Sequence, residues 1–340
     1  MHHLSCTSDN KCSRLGKCAS VVLLAMLAAV YATEALCAFP GMELPDQAEP
    51  EPTILETMDT PRNLLSDEVI NFSTKIDHFF GDPRHFQESN KSVIQVFVNQ
   101  SIFTGGNFNT WIDGQAKIHL PSAEKRFHLV LESDPEKKAA NETKQDQVVP
   151  AKDTKVPAQY AASLRYEKAE VNQWHYSADS GINVQFPLDP FVRTRGSYEV
   201  PLEDWRLKFS ETVFWFSTLG LGQTAQYEMS NVISDKLLFR ATTTANCLES
   251  PQLCNFRQDL AFFQNLDESN VFQYQLSLIG DDNPKLRETD YLLLMRYRHK
   301  LHREWMFFEV TPQLSFPRTD SFKMNPSIIM RLEMLFGATS

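Results

Sequence analysis

The sequence predicts an all-β fold: an antiparallel transmembrane β-barrel of about fourteen strands, preceded by an N-terminal amphipathic helix. Three observations predict it. From Ser92 to the end, apolar residues recur at every second position, the period with which strand side chains alternate between faces. The alternating runs are about 9–12 residues long, the length a tilted strand needs to cross a bilayer. Tight polar connections alternate with longer loops along the chain.

The last run is the clearest. Ile328, Met330, Leu332, Met334 and Phe336 alternate with a face carrying Ser327, Arg331 and Glu333. Before it, Met306, Phe308, Val310, Pro312, Leu314 and Phe316 alternate with Phe307, Glu309, Thr311, Gln313 and Ser315. Tyr291, Leu293, Met295 and Tyr297 do the same against Leu292, Leu294, Arg296 and Arg298. Continued upstream, the rhythm places strands near 92–103, 109–120, 126–133, 159–168, 173–186, 190–201, 205–218 and 222–233. Six more follow, near 236–247, 255–266, 270–280, 289–300, 304–316 and 326–336. Twelve or sixteen strands fit the same rhythm, and any even number brings both ends to one side. With that side as the periplasm, the tight turns at 202–204, 234–236, 267–270 and 301–303 lie inside, and the charged stretch 134–157 lies outside. The alternation breaks at Glu211, which falls on the face of Leu207, Phe209, Val213 and Trp215.

Upstream of the strands the chain divides into three parts. Residues 1–38 read as a secretory signal peptide, with Lys11, Arg14 and Lys17 ahead of the apolar run 19–32 and small-residue exits near Ala35 and Ala38. Neither Cys18 nor Cys37 follows the small residue that a lipoprotein signal requires. Residues 39–63 form an acidic linker with prolines at 40, 45, 50 and 52, a composition that cannot bury a core. Residues 64–90 are expected to be a periplasmic amphipathic helix and connector, because Leu65, Val69, Phe72, Ile76 and Phe79 recur at helical spacing before Gly81-Asp82-Pro83. This helix packs on the rest of the protein, plugs it or lies on the membrane surface. The barrel then occupies 91–337.

Composition narrows function. With 42% hydrophobic and 22% charged residues among 340, the chain is neither disordered nor a disulfide miniprotein. No later run approaches the roughly 18 apolar residues of a helical span. A net charge of −10 excludes nucleic acid as the main partner, since phosphate neutralisation needs a basic surface. The mean hydropathy of −0.34 is no evidence of solubility, because a barrel averages lipid-facing and lumen-facing residues. Loss of 1–38 removes Cys6, Cys12, Cys18 and Cys37 and leaves Cys247 and Cys254, which flank a proline turn and are expected to form a local disulfide.

Candidate functional residues are the charges on the face opposite the apolar one. Arg296, Arg298 and Lys300 share a strand face, with Glu309 inward on the next strand and Arg331 and Glu333 on the last. Arg193, Arg195, Arg206, Lys208 and Arg240 add cations elsewhere. Opposed Arg and Glu rows either pair and fill a narrow interior or line a water-filled pore and set ion preference. Aromatic residues near strand ends (Trp205, Phe214, Trp215, Phe216, Tyr291, Trp305, Phe307, Phe308 and Phe336) suit girdles at the two membrane interfaces. His175 and Ser177, two apart on one face, are the nearest approach to a catalytic base and nucleophile. No nucleophile elbow, phosphate loop, metal-ligand motif or calcium loop occurs, so neither a cofactor nor a metal is expected.

The terminal alternation ending on an aromatic (Ile328, Met330, Leu332, Met334, Phe336) resembles the signal by which barrel-assembly machinery recognises its clients. Together with 189–193, 212–216, 302–305 and 332–337, it makes residues 64–337 resemble Gram-negative outer-membrane β-barrel proteins, within them a group without an established activity. Gly337-Ala338-Thr339-Ser340 overhang the terminal aromatic and depart from that pattern. The resemblance implies an outer-membrane location, with membrane lipid as the partner and the assembly machinery as a transient one. Oligomeric state stays open. The expected function is that of a non-enzymatic barrel, a passive porin-like channel or a structural membrane protein. The alternatives are a lipase-like barrel hydrolase using His175 and Ser177, and a secreted soluble β-sandwich that binds a ligand.

Overall fold

The computed structural model describes Phe79 and residues 92–103, 108–119, 127–133, 160–171, 173–184, 186–202, 204–249, 252–283, 285–302 and 305–337. The expected signal peptide, the linker and the loop at 134–157 lie outside the described residues. So does the expected helix, apart from Phe79, which is helical.

Fourteen strands follow one another in sequence order. They are β1 (Val93–Phe103), β2 (Phe108–His119), β3 (Phe127–Ser133), β4 (Tyr160–Val171) and β5 (Trp174–Val184). Then come β6 (Asp189–Leu202), β7 (Trp205–Phe216), β8 (Gly220–Ser234), β9 (Leu237–Leu248) and β10 (Leu253–Asp267). The last four are β11 (Asn270–Asp281), β12 (Arg287–His302), β13 (Met306–Pro317) and β14 (Asn325–Gly337). Each pairs antiparallel with its sequence neighbours, and β1 closes on β14 in a register running from Val93↔Gly337 to Phe103↔Ser327. Closure leaves no unpaired edge, the condition for a sheet to exist in hydrocarbon.

Burial alternates with the same period as the sequence. On β12, Tyr291, Leu293 and Met295 are 41, 48 and 39% exposed, while Leu292 and Leu294 between them are 0 and 3% exposed. Around the ring the exposed set is mostly apolar: Ile94, Ile112, Leu164, Val192, Val213, Leu260, Leu276 and Ile328 among others. A continuous apolar exterior of this extent is far beyond the patches that soluble proteins expose, and it marks a surface that meets lipid. The protein is therefore a closed antiparallel transmembrane barrel. The inner set is mostly polar, from Asn99 and Arg165 to Thr244 and Gln313.

Three aromatic residues correct the girdle expectation. Trp205, Trp215, Tyr291 and Phe336 are exposed on the outer face, but Phe214, Phe216 and Phe307 are 2, 0 and 3% exposed and point inward. Phe214 and Phe216 join Phe191, Ala161 and Leu248 in an apolar cluster near the loop ends of their strands. Gly222 makes room for it, since a Cβ there would come within 2.2 Å of the Phe214 ring. A second cluster, Leu238, Ala261, Phe263 and Val271, lies near the turn ends and receives Phe79 and Val232. Cys247 and Cys254 face each other across β9 and β10 and form a disulfide with Cα atoms 4.0 Å apart.

Outward Leu276 and inward Gln226 test the two faces. Leu276→Arg is expected to destabilise the barrel in liposomes by about 2–4 kcal/mol, and Gln226→Arg by less than about 1 kcal/mol. The midpoint of the folded-to-unfolded gel shift in urea reads the difference, and equal costs would contradict the assignment of faces.

Candidate functional site

The charged inner wall is assembled from residues two apart on neighbouring strands, which the pleat turns to one side. On β12–β14 the antiparallel registers set Arg298 opposite Glu309 and Glu309 opposite Arg331. Arg298 Nη1 lies 3.1 Å from Glu309 Oε2 and 2.6 Å from Glu333 Oε2, bridging three strands. Arg296 and Arg331 approach the other oxygen of Glu309 at 3.3 and 3.6 Å. Across the β1–β14 seam, Gln95 donates to Glu333 at 3.3 Å and Arg331 Nε donates to Asn99 Oδ1 at 2.8 Å. Phe307 lies beneath this group, with the Arg298 guanidinium 4.2 Å from its ring centroid. The Phe79 ring meets Phe307 edge-on at 5.7 Å. The predicted cations differ in environment: the Arg298 side chain is fully buried, whereas that of Arg331 is 33% exposed. Lys300, two residues from Arg298, is half-buried and opposite Phe307 in register.

A second network on β2–β6 contains residues that sequence reasoning missed. Arg165 grips Asp179 through Nε at 2.6 Å and Nη2 at 2.7 Å. Arg193 binds Asp179 at 2.7 Å and reaches Glu132, three strands away, at 2.9 Å. Lys117 on β2 pairs with Glu167 on β4, and His128 Nδ1 lies 3.7 Å from the same carboxylate. Parity could have found them: His128, Glu132, Arg165, Glu167 and Asp179 all lie opposite the faces that carry Leu129, Leu131, Leu164 and Ile182. On β7–β9, Glu228 is approached by Arg240 at 3.2 Å and Arg206 at 3.6 Å. On β10, Arg257 pairs with Asp259.

Each of these pairs joins residues of one strand, of adjacent strands, or of strands two or three apart, whereas opposite walls are seven strands apart. These ion pairs thus run along the wall. Neutral hydrogen-bonding groups continue the lining, including Gln273, Gln275 and Ser277, joined in sequence at 2.6 and 2.9 Å, and Gln313 donating to Ser327 at 2.9 Å.

Two further sets of predicted residues have definite places. His175 and Ser177 face inward on β5, 6 and 3% exposed, in register with Ser197 and Arg195. Ile328, Met330, Leu332, Met334 and Phe336 form the outer face of β14, in register with Ile102, Gln100, Val98, Val96 and Ile94. Among the described residues, no group of three or more His, Cys, Asp or Glu could hold a metal ion.

Fold and wall together define a transmembrane β-barrel with a polar, charge-paired interior. Among solved structures, the NanC porin is similar with a TM-score of 0.35 at 10% identity, over 70% of this chain and 98% of its own. The outer membrane channel DcaP of Acinetobacter baumannii gives 0.42 at 7% identity, over 72% and 96%. A loop-L8 deletion mutant of OmpT, an outer membrane protein of Vibrio cholerae, gives 0.43 at 8% identity, over 72% and 98%. No residue role transfers at these identities. No protein-family model matches the sequence, and no curated protein is similar to it.

Burial separates the two arginines in energy. Removing one partner of a buried pair strands the other charge, so Arg298→Ala is expected to cost about 3–5 kcal/mol. Arg331→Ala, at a partly exposed position, is expected to cost about 1 kcal/mol or less. Arg298→Met combined with Glu333→Met should recover most of the Arg298 loss, measured by urea titration in liposomes. A double variant no more stable than Arg298→Ala would contradict the pairing.

Proposed function

We propose that this protein is a non-enzymatic β-barrel of the Gram-negative outer membrane that gives ions and small hydrophilic solutes a passive, water-filled passage. The observation that carries this reading is Arg331. Its side chain belongs to the inward face yet is 33% exposed, beside Glu309 and Glu333 at 4 and 1%. An inward side chain that is one-third exposed adjoins solvent-sized space within the wall. The pairing of Arg298, Glu309, Glu333 and Arg331 along one stretch of wall supports the same reading. Arg296, Arg331 and Lys300, the less buried cations of the β12–β14 group, then set ion preference, and Arg298, Glu309 and Glu333 hold the wall in register.

The outer-membrane assignment rests on the apolar exterior together with the export signal read at 1–38 and the terminal alternation ending on Phe336. Membrane lipid is the permanent partner, and the barrel-assembly machinery, reading Ile328 to Phe336, is the transient one. No observation favours the hydrolase. Ser177 is 3% exposed and in register with Arg195, a poor position for a nucleophile that must reach a lipid ester.

Planar-bilayer recording of the refolded barrel tests the proposal. Discrete ohmic conductance is expected, and Arg331→Glu should move the cation-to-anion permeability ratio towards cations by roughly twofold or more. Silence across voltages and salts, from protein that shows the folded gel mobility, would overturn it.

A further inference from the structure

The outer face changes character halfway up β6–β10. On β7, Trp205 and Trp215 are exposed near the two ends of the strand, and tryptophan on a barrel exterior favours the two headgroup levels. Between them, on the same face, stands Glu211. Its register neighbours are Gly196 on β6 and Ala225 on β8, and Ala225 is followed by Ala245 on β9. Thr194, Gln223, Thr243 and Gln258 share the outer face around this row. The opposite wall carries Val96 and Val98 on β1, paired with Met334 and Leu332 on β14, and its outward polar residues, Gln100 on β1 and Thr110 on β2, are uncharged.

Part of this polar group is satisfied internally. Gln223 Nε2 donates to Glu211 Oε1 at 2.6 Å, and Thr243 donates to Gln258 Oε1 at 2.6 Å. A carboxylate has about four acceptor sites, and acyl chains donate to none of them. Gly196 is the independent observation. Its φ is not positive, and a Cβ built on it would meet nothing within 4 Å. Neither the backbone nor the barrel's own packing calls for glycine there. Its missing side chain leaves a shallow dip on one side of Glu211, with the small Ala225 on the other, where another wall can approach closely.

We infer that this face of β6–β10 is where a second copy of the chain packs, wall to wall, within the membrane. The patch carries both halves of the chemistry: an acceptor in Glu211, and donors in the remaining amide protons of Gln223 and Gln258, the Thr194 and Thr243 hydroxyls already donating to Val213 O and Gln258 Oε1. A two-fold apposition places each copy's carboxylate against the other's donors, the self-complementarity that an isologous contact requires. A second copy also presents its patch at the same depth in the bilayer, between the same two tryptophan levels. Acyl chains supply no hydrogen-bond donors at that depth.

Counting photobleaching steps of singly labelled full-length protein in liposomes tests the inference, and the readout does not depend on conduction. Two-step traces are expected to dominate at protein densities where Glu211→Leu and Gly196→Phe give mostly single steps. Each substitution should weaken association by roughly tenfold or more. Gly196→Phe adds its ring to open space outside the barrel, so folded gel mobility should persist. Val98→Phe, on β1 five strands from Gly196 and six from Glu211, should leave the pairs intact. Wild-type protein that bleaches in single steps, pairing that survives both patch substitutions, or equal loss with Val98→Phe overturns the inference.

Discussion

The structure depends on one constraint: in hydrocarbon, backbone N–H and C=O groups have no partner but one another. A sheet meets that constraint only by closing, and β1 meets β14 in a continuous register. Once closed, the two-residue period sorts every side chain to lipid or to the interior with no intermediate choice. A slip of one residue on any strand would exchange the two sets, which is why the register is so strongly specified. The mean hydropathy of the whole chain is accordingly polar, although its outer surface is greasy.

The interior inherits a second constraint. Arg, Lys, Glu and Asp turned away from the lipid must be neutralised, because removing an unpaired charge from water is costly. The antiparallel registers solve this locally by bringing opposite charges on neighbouring strands to the same height, as with Arg298, Glu309 and Arg331, or Arg165, Asp179 and Arg193. These pairs close within a few strands of wall. Apolar clusters around Phe216 and Leu238 add packing on the inner wall towards the two ends.

Strand number and position were legible because fourteen amphipathic runs repeat one rule, and their ends fall within a few residues of turn-forming segments. Parity would also have placed Phe307, which shares a face with Glu309, and Phe216, which shares one with Arg206, Ser210 and Thr212. Proximity to a strand end suggested a girdle for both and was the weaker guide. The Lys117–Glu167 and Arg193–Glu132 pairs were not legible. They join strands two and three apart, and only the curvature of the closed wall brings such residues together. Glu211 broke the pattern in the sequence and breaks it in the structure. It stands on the outer face with Gln223 as its donor, so the exception marks a local feature of the surface rather than an error of register.

The claim on which the account stands is that alternate residues of each strand contact acyl chains. A fluorophore attached singly at positions 310 to 315 of β13, in vesicles of lipid brominated along its chains, addresses it most directly. Quenching should be strong at Val310, Pro312 and Leu314 and weak at Thr311, Gln313 and Ser315. Uniform quenching, or strong quenching at the second set, would contradict it.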